Sequence, residues 1–240
     1  MDILFQDEAL LVVNKPAGLS TLPDGYNPTL PHIKSVLEQQ AGRLWVVHRL
    51  DKDTSGVLLL ARTAEAHRSL NTQFEKHLVS KLYHALVMGI PEWSEKTISL
   101  PLRPNGDRHH RTVVDQIMGK PAVTHLQVLE RLGNYCLVEA VPETGRTHQI
   151  RAHLAALGLS IVGDKLYLVG QSTPHKLESQ LQGDIDLAPK LIAGMGLHAL
   201  SLEINHPISG HRLKFEAPYP AGWVDFLQQF PPPGRSRWGD

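Results

Sequence analysis

Three features of the sequence predict an α+β fold. Short apolar or alternating runs of strand length recur along most of the chain. Only two or three stretches space their apolar residues as a helix does. Strands and helices do not alternate regularly, which argues against a doubly wound parallel sheet.

In chain order, residues 9–14 read as the first strand, and residues 45–47 and 56–61 as a pair of buried strands around a polar turn. Between them, Leu30, Ile33, Leu37 and Ala41 recur at helical spacing, with Thr29 as the expected N-cap and Gly42 as the stop. Ala66, Leu70 and Phe74 predict a second helix over 64–77. Further strands are expected at 81–88, 121–129, 135–140, 199–204 and 211–216. A third helix carries Ile150, Leu154 and Leu157 and ends at Gly158. Residues 168–195 mix Gly, Ser, Pro and charge and are expected to form an insertion or lid. The tail 231–240 opens Pro231-Pro232-Pro233-Gly234 and is expected to be flexible. One domain over residues 1–230 accounts for the rest.

Composition excludes several classes. With 42% hydrophobic and 20% charged residues, the chain has ordinary globular values, which excludes a disordered or fibrous protein. No apolar run reaches the roughly 18 residues of a membrane span, and no signal peptide is visible, so a cytoplasmic protein is expected. The single cysteine, Cys136, lies in an apolar run and is expected to be a buried thiol in a reducing compartment. Positive and negative residues balance at a net charge of +0, so any polyanion must be held by local patches. Arg103, Arg108 and Arg111 with His109 and His110 form one such patch.

The stretch His48-Arg49-Leu50-Asp51-Lys52-Asp53-Thr54-Ser55-Gly56 carries the most information. It sets a carboxylate among strong donors on a turn held at both ends by buried strands, rigid enough to aim one side chain. Asp51, Asp53, Ser55 and Gly56 imitate a calcium loop, but the twelfth position, which needs a bidentate acid, is Arg62. An ordinary polar turn is the other plain reading.

The nonapeptide resembles the signature of the RluA-type pseudouridine synthases, and the resemblance recurs in order. Leu11-Val12-Val13-Asn14-Lys15-Pro16-Ala17-Gly18-Leu19 resembles the family's first strand and turn. Val79-Ser80-Lys81-Leu82-Tyr83-His84-Ala85 resembles its tyrosine segment. Glu143-Thr144-Gly145-Arg146-Thr147-His148-Gln149-Ile150-Arg151 resembles its arginine motif, and Gly163-Asp164-Lys165-Leu166-Tyr167 and Leu197-His198-Ala199 follow. The resemblance implies a single catalytic domain on a mostly antiparallel mixed sheet with flanking helices. With the first motif near residue 9, the S4 module that many members carry is not expected here.

The implied activity isomerises a uridine to pseudouridine in a stem-loop of ribosomal or transfer RNA. The product has the composition and oxidation state of the substrate, so no cofactor and no metal are expected. The catalytic residues implied are Asp51 as the essential carboxylate, Tyr83 as a ring to stack on uracil and accept the C5 proton, and Arg146 as the guanidinium gripping Asp51. Thr147 is expected to cap the helix that follows. Substrate contacts are expected from His48, Arg49, Lys81, Lys15, Arg108 and Arg111. A monomer is expected. An RNA-binding protein that kept the fold without catalysis is the alternative from another class, opposed by the joint presence of Asp51, Tyr83 and Arg146.

Other signatures fail. Gly194-Met195-Gly196-Leu197-His198-Ala199 imitates a dinucleotide fingerprint, but a strand pattern follows where a helix is needed. The fourteen histidines are scattered and lack paired cysteines, unlike a zinc site.

Overall fold

The computed structural model describes residues 1–25, 27–168, 192 and 194–230. The expected insertion at 168–195 and the expected tail at 231–240 lie almost wholly outside the described residues. The strands are β1 (Asp2–Gln6), β2 (Leu10–Lys15), β3 (Trp45–Val46), β4 (Ser55–Ala61), β5 (Ser80–Met88), β6 (Glu95–Ser99), β7 (Leu102–Arg103), β8 (Val113–Val114), β9 (Val123–Leu132), β10 (Tyr135–Pro142), β11 (Ser160–Ile161), β12 (Leu197–Asn205) and β13 (Arg212–Glu216). The described helices are α1 (Ile33–Ala41), α2 (Ala64–Glu75), α3 (Gln149–Ala156) and α4 (Ala221–Gln228).

One large sheet runs β1-β2-β4-β12-β5-β10-β9-β6, with β3 on β4, β11 on β5 and β13 on β12. Every pairing in it is antiparallel except β4 with β12, so the α+β expectation of a mostly antiparallel mixed sheet holds. That one parallel contact joins the two halves of the sheet: His198 lies opposite Ser55 and Ala199 opposite Gly56. Gly56 has φ +113°, and a Cβ there would meet Ala199 backbone at 2.2 Å, so only glycine lets the strands approach.

Alternation decides which face each side chain buries. In the first half, Leu10, Val12, Val57 and Leu59 meet Ala66 and Leu70 of α2, while Leu11, Val13, Leu58 and Leu60 meet Ile33 and Leu37 of α1. Burial on both faces explains the continuous apolar runs of β2 and β4. In the second half, Ala85, Val87, Val138 and Ala140 pack on Ile150 and Leu154 of α3. Leu86 and Leu137 pack on Trp223, Phe226 and Leu227 of α4.

Helix α1 begins later than the sequence suggests. Its N-cap is His32, whose ring accepts from the Ser35 N–H at 3.2 Å, rather than Thr29. Its first amides are taken by the carbonyls of Ser20 and Thr21, a tertiary contact that overrides the local capping preference. Strands β1 and β6 and helix α4 had no clear periodic signal and were not expected.

Candidate active site

The loop between β3 and β4 carries Asp51 to the middle of the sheet, and the segment after β2 holds it there. Lys15 Nζ is wholly buried and donates to the carbonyls of Pro16 (2.8 Å), Leu19 (2.8 Å) and Lys52 (3.0 Å). Thr21 Oγ1 bonds both the amide and the carbonyl of Leu50, and Gly18 N–H donates to Lys52. The expected phosphate contact by Lys15 is therefore corrected: its ammonium cross-links two loops and has no path to a phosphate. Burial lowers its pKa to about 8 against the opposing charges of Asp53 and Asp51.

Asp51 does have a guanidinium partner, but it is Arg151. Arg151 Nη1 donates to Asp51 Oδ2 at 2.9 Å. The same guanidinium grips Asp164 with two bonds, Nε to Oδ2 at 2.7 Å and Nη2 to Oδ1 at 2.9 Å, and lies over the Tyr167 ring at 4.9 Å. Asp164 Oδ1 also accepts the amides of Leu166 and Tyr167. Burial acts to lower the Arg151 pKa, yet its two carboxylates reverse this and push it up. The expected Asp51–Arg146 pairing is thus corrected. Arg146 donates instead from Nε to the Pro121 carbonyl at 3.1 Å and stays partly exposed. The register explains the exchange: Arg146 lies in the loop before α3, whereas Arg151 sits in the first turn of α3, against the Asp51 loop.

That loop also departs from the capping expected of Thr147, which is exposed; no side chain caps the helix at its N-cap, His148. Gln149 Oε1 takes the Arg146 amide at 3.0 Å and the Thr144 hydroxyl at 2.7 Å. His148 adopts φ 52°, ψ 24° and turns its ring toward Asp51, Nε2 lying 3.6 Å from Oδ2.

A cavity of about 510 Å³ opens beside Asp51 and is lined by His48, Arg49, Lys81, Tyr83, Arg146 and His148 among others. Five of the expected site residues besides Asp51 therefore share one cavity. Tyr83 lies opposite Ala199 on β12, the residue that also faces Gly56, so the sheet register places its ring near Asp51. Burial first, and the charge of Asp51 second, raise its pKa above the ordinary phenol value. A phenol so shifted stays neutral at ordinary pH. Lys81 donates to the Thr144 carbonyl at 3.0 Å, and burial lowers its pKa to about 8. His48 accepts the Leu59 amide at Nε2 and stacks on Phe74 at 5.1 Å. Burial and the neighbouring Lys81 lower its pKa to about 3, so it is a neutral buttress of the loop with one edge on the cavity. Thr54 lines the same cavity, and its Oγ1 is the one buried side-chain polar atom without a partner among the described residues.

Arg108 and Arg111 line neither this cavity nor the smaller one of about 260 Å³ on the other side of Asp51. Arg111 is bonded to Asp107 at 2.6 Å and to the Leu166 carbonyl. Arg108 is exposed against His109. Asp164, Tyr167, His148 and Arg151 are the residues of this cluster to which the sequence assigned no catalytic or substrate-binding role. The signal was present, since all four fall within the quoted motifs. Among the described residues, no group of three or more His, Cys, Asp or Glu side chains is arranged to hold a metal, and no helix is long and apolar enough to cross a membrane.

Residues 9–156 match the RNA pseudouridylate synthase family. The chain belongs to that family, whose members are isomerases acting on RNA. It is 39% identical over 235 residues to the ribosomal large subunit pseudouridine synthase D of Pseudomonas aeruginosa, covering 95% of this chain and 70% of that one. It is 37% identical over 229 residues to the protein of the same name from Zymomonas mobilis, covering 92% and 69%. Among solved structures it resembles human RNA pseudouridylate synthase domain containing 4, with TM-score 0.74, 27% identity and coverage of 95% and 92%. It also resembles human RNA pseudouridylate synthase domain containing 1, with TM-score 0.70, 29% identity and coverage of 91% and 83%.

Proposed function

We propose that the protein converts a uridine in a stem-loop of large-subunit ribosomal RNA to pseudouridine, with Asp51 as the working carboxylate. In this reaction the N1–C1′ bond breaks, a C5–C1′ bond forms, and the hydrogen leaving C5 is balanced by one gained at N1. The observation that carries the reading is how Asp51 is held. Arg151 fixes Oδ2, Oδ1 has no side-chain hydrogen-bond partner among the described residues, and Asp51 lines the cavity. A carboxylate with one oxygen anchored and one free is preorganised to act at a sugar or base. Tyr83 supplies a neutral ring for the uracil, and Lys81, Arg146 and Arg49 supply cations at the rim. A paired or stacked uridine must leave its stack to reach this depth, at a cost of roughly a few kcal/mol that is smallest in a loop. The ribosomal target is inferred from the names of the relatives.

The test is tritium release from large-subunit ribosomal RNA and transfer RNA transcripts labelled at uridine C5. Release from the ribosomal transcript is expected, falling more than about 10³-fold in Asp51→Asn. Release from transfer RNA alone would move the substrate assignment. Tight binding without release from either would make the protein a binder, and undiminished release in Asp51→Asn would remove the carboxylate from the mechanism.

A further inference from the structure

Of the four non-glycine residues with positive φ among the described residues, His77, Asn105 and His110 are exposed, and only His148 is withdrawn from solvent. Left-handed backbone is uncommon outside glycine, and with no cap bond from the ring to reward it here, the conformation serves to place the ring. The imidazole packs edge-on to Tyr167 at 5.7 Å, and its Nδ1 lies 3.1 Å from the Tyr167 oxygen. That oxygen accepts the Thr112 amide at 2.8 Å and can donate its one proton to the Thr112 carbonyl at 3.1 Å. All three contacts are satisfied together only if Nδ1–H donates to Tyr167, which leaves Nε2 of the neutral ring as an acceptor. Nε2 faces Asp51 Oδ2 at 3.6 Å, and the ring borders both cavities.

We infer that His148 is an acid-sensitive positioning residue for Asp51. When neutral, its Nε2 and the Asp51 carboxylate form a pair of acceptors that a hydroxyl of the bound nucleotide bridges. When protonated, Nε2–H is donated to Asp51 Oδ2 instead, so that oxygen carries a second cation beside Arg151 and the bridging hydroxyl loses both acceptors. The inference rests on Asp51 being the working carboxylate. The groups facing the ring are Asp51 and Arg49 of the motif loop, Arg151 of α3, and Asp164 and Tyr167 of the segment after β11. Burial, the largest influence, together with Arg151 and Arg49 outweighs the two carboxylates and sets the His148 pKa below the ordinary 6.5.

The experiment measures single-turnover tritium release between about pH 5 and pH 8.5 for the wild type and for His148→Asn, since asparagine tolerates left-handed backbone. The wild-type rate is expected to fall on acidification through a titration below 6.5. In His148→Asn the plateau falls about tenfold, roughly one hydrogen bond, and that acid limb disappears. A lower plateau with the limb intact would mean a merely structural ring, and an unchanged profile would mean none of this role; either overturns the inference. Should the variant fail to fold, the His148 titration is followed by nuclear magnetic resonance in the wild type and in Asp51→Asn. Removing the carboxylate is expected to lower the midpoint, and an unmoved midpoint overturns the pairing. Neither result bears on whether Asp51→Asn abolishes release, so failure of the underlying reading is separately visible.

Discussion

Lys81 illustrates how one side chain serves as both structure and charge at the site. Its ammonium is tethered to the Thr144 carbonyl, which spans strand β5 and the loop before α3, and the same group lines the cavity. With its pKa lowered to about 8, it is cationic below that pH and neutral above it. The kcat/KM of the wild type should therefore fall as pH rises through about 8, since that quantity reports groups of the free enzyme. Lys81→Arg keeps its charge and should abolish this alkaline limb; a limb of equal position in the variant would assign it elsewhere. At this scale the sequence named a carboxylate and a tyrosine that the structure brings to one cavity, but it paired the carboxylate with Arg146 rather than Arg151. Tyr83 lies on a strand whose facing is readable from period two, and Asp51 lies on a short turn held between two apolar strands. The choice between Arg146 and Arg151 depends on where α3 begins, and that is set by the Gln149 side chain and a left-handed His148, neither of which leaves a periodic trace.

Among elements, the bridge Asp51–Arg151–Asp164 joins the motif loop, α3 and the segment after β11. Burial alone would raise the Asp164 carboxyl, but the hydrogen bonds and charge of Arg151 and two backbone amides hold it below 3.8. A folded-state pKa below the unfolded one contributes stability that is present above about pH 4 and lost as pH falls through the folded value. Asp164→Asn should lower the unfolding free energy at pH 7 by about 3–5 kcal/mol, because Arg151 is left buried with one carboxylate fewer. Its further loss of stability below pH 4 should be shallower than that of the wild type. Urea unfolding that gives equal free energies at pH 7 would show the bridge to be energetically neutral. The elements themselves were largely legible where both faces of a strand are buried, as in β2 and β4, because continuous apolar runs leave little ambiguity. Strand β6, with four of its five residues exposed, and the N-terminus of α1, whose first amides are taken by Ser20 and Thr21 in the segment after β2, were not legible because no continuous apolar run marks them.

For the whole molecule, 24 basic and 24 acidic residues leave no global field to draw in a polyanion. Several cations are also committed internally: Lys15 to three carbonyls, Arg151 to two carboxylates, and Arg103 and Arg111 to Asp115 and Asp107. The cations left at the cavity rim, Arg49, Lys81 and Arg146, are few. RNA affinity should therefore decline gently with salt, with a log–log slope of about −2 to −3 if each rim cation neutralises one phosphate. Filter binding from about 50 to 300 mM salt measures this, and a slope steeper than about −6 would require a basic surface outside the cavity.

The parallel pairing of β4 with β12 has a consequence for biosynthesis. Ser55 and His198, bonded at 2.8 Å across it, are 143 positions apart. A nascent chain that has already emitted the carboxylate, the phenol and the guanidinium still lacks the strip that docks one sheet half to the other. Activity should consequently be born late, near the close of translation, and any premature stop upstream of β12 should yield a product that contains Asp51, Tyr83 and Arg151 but has no assembled cavity.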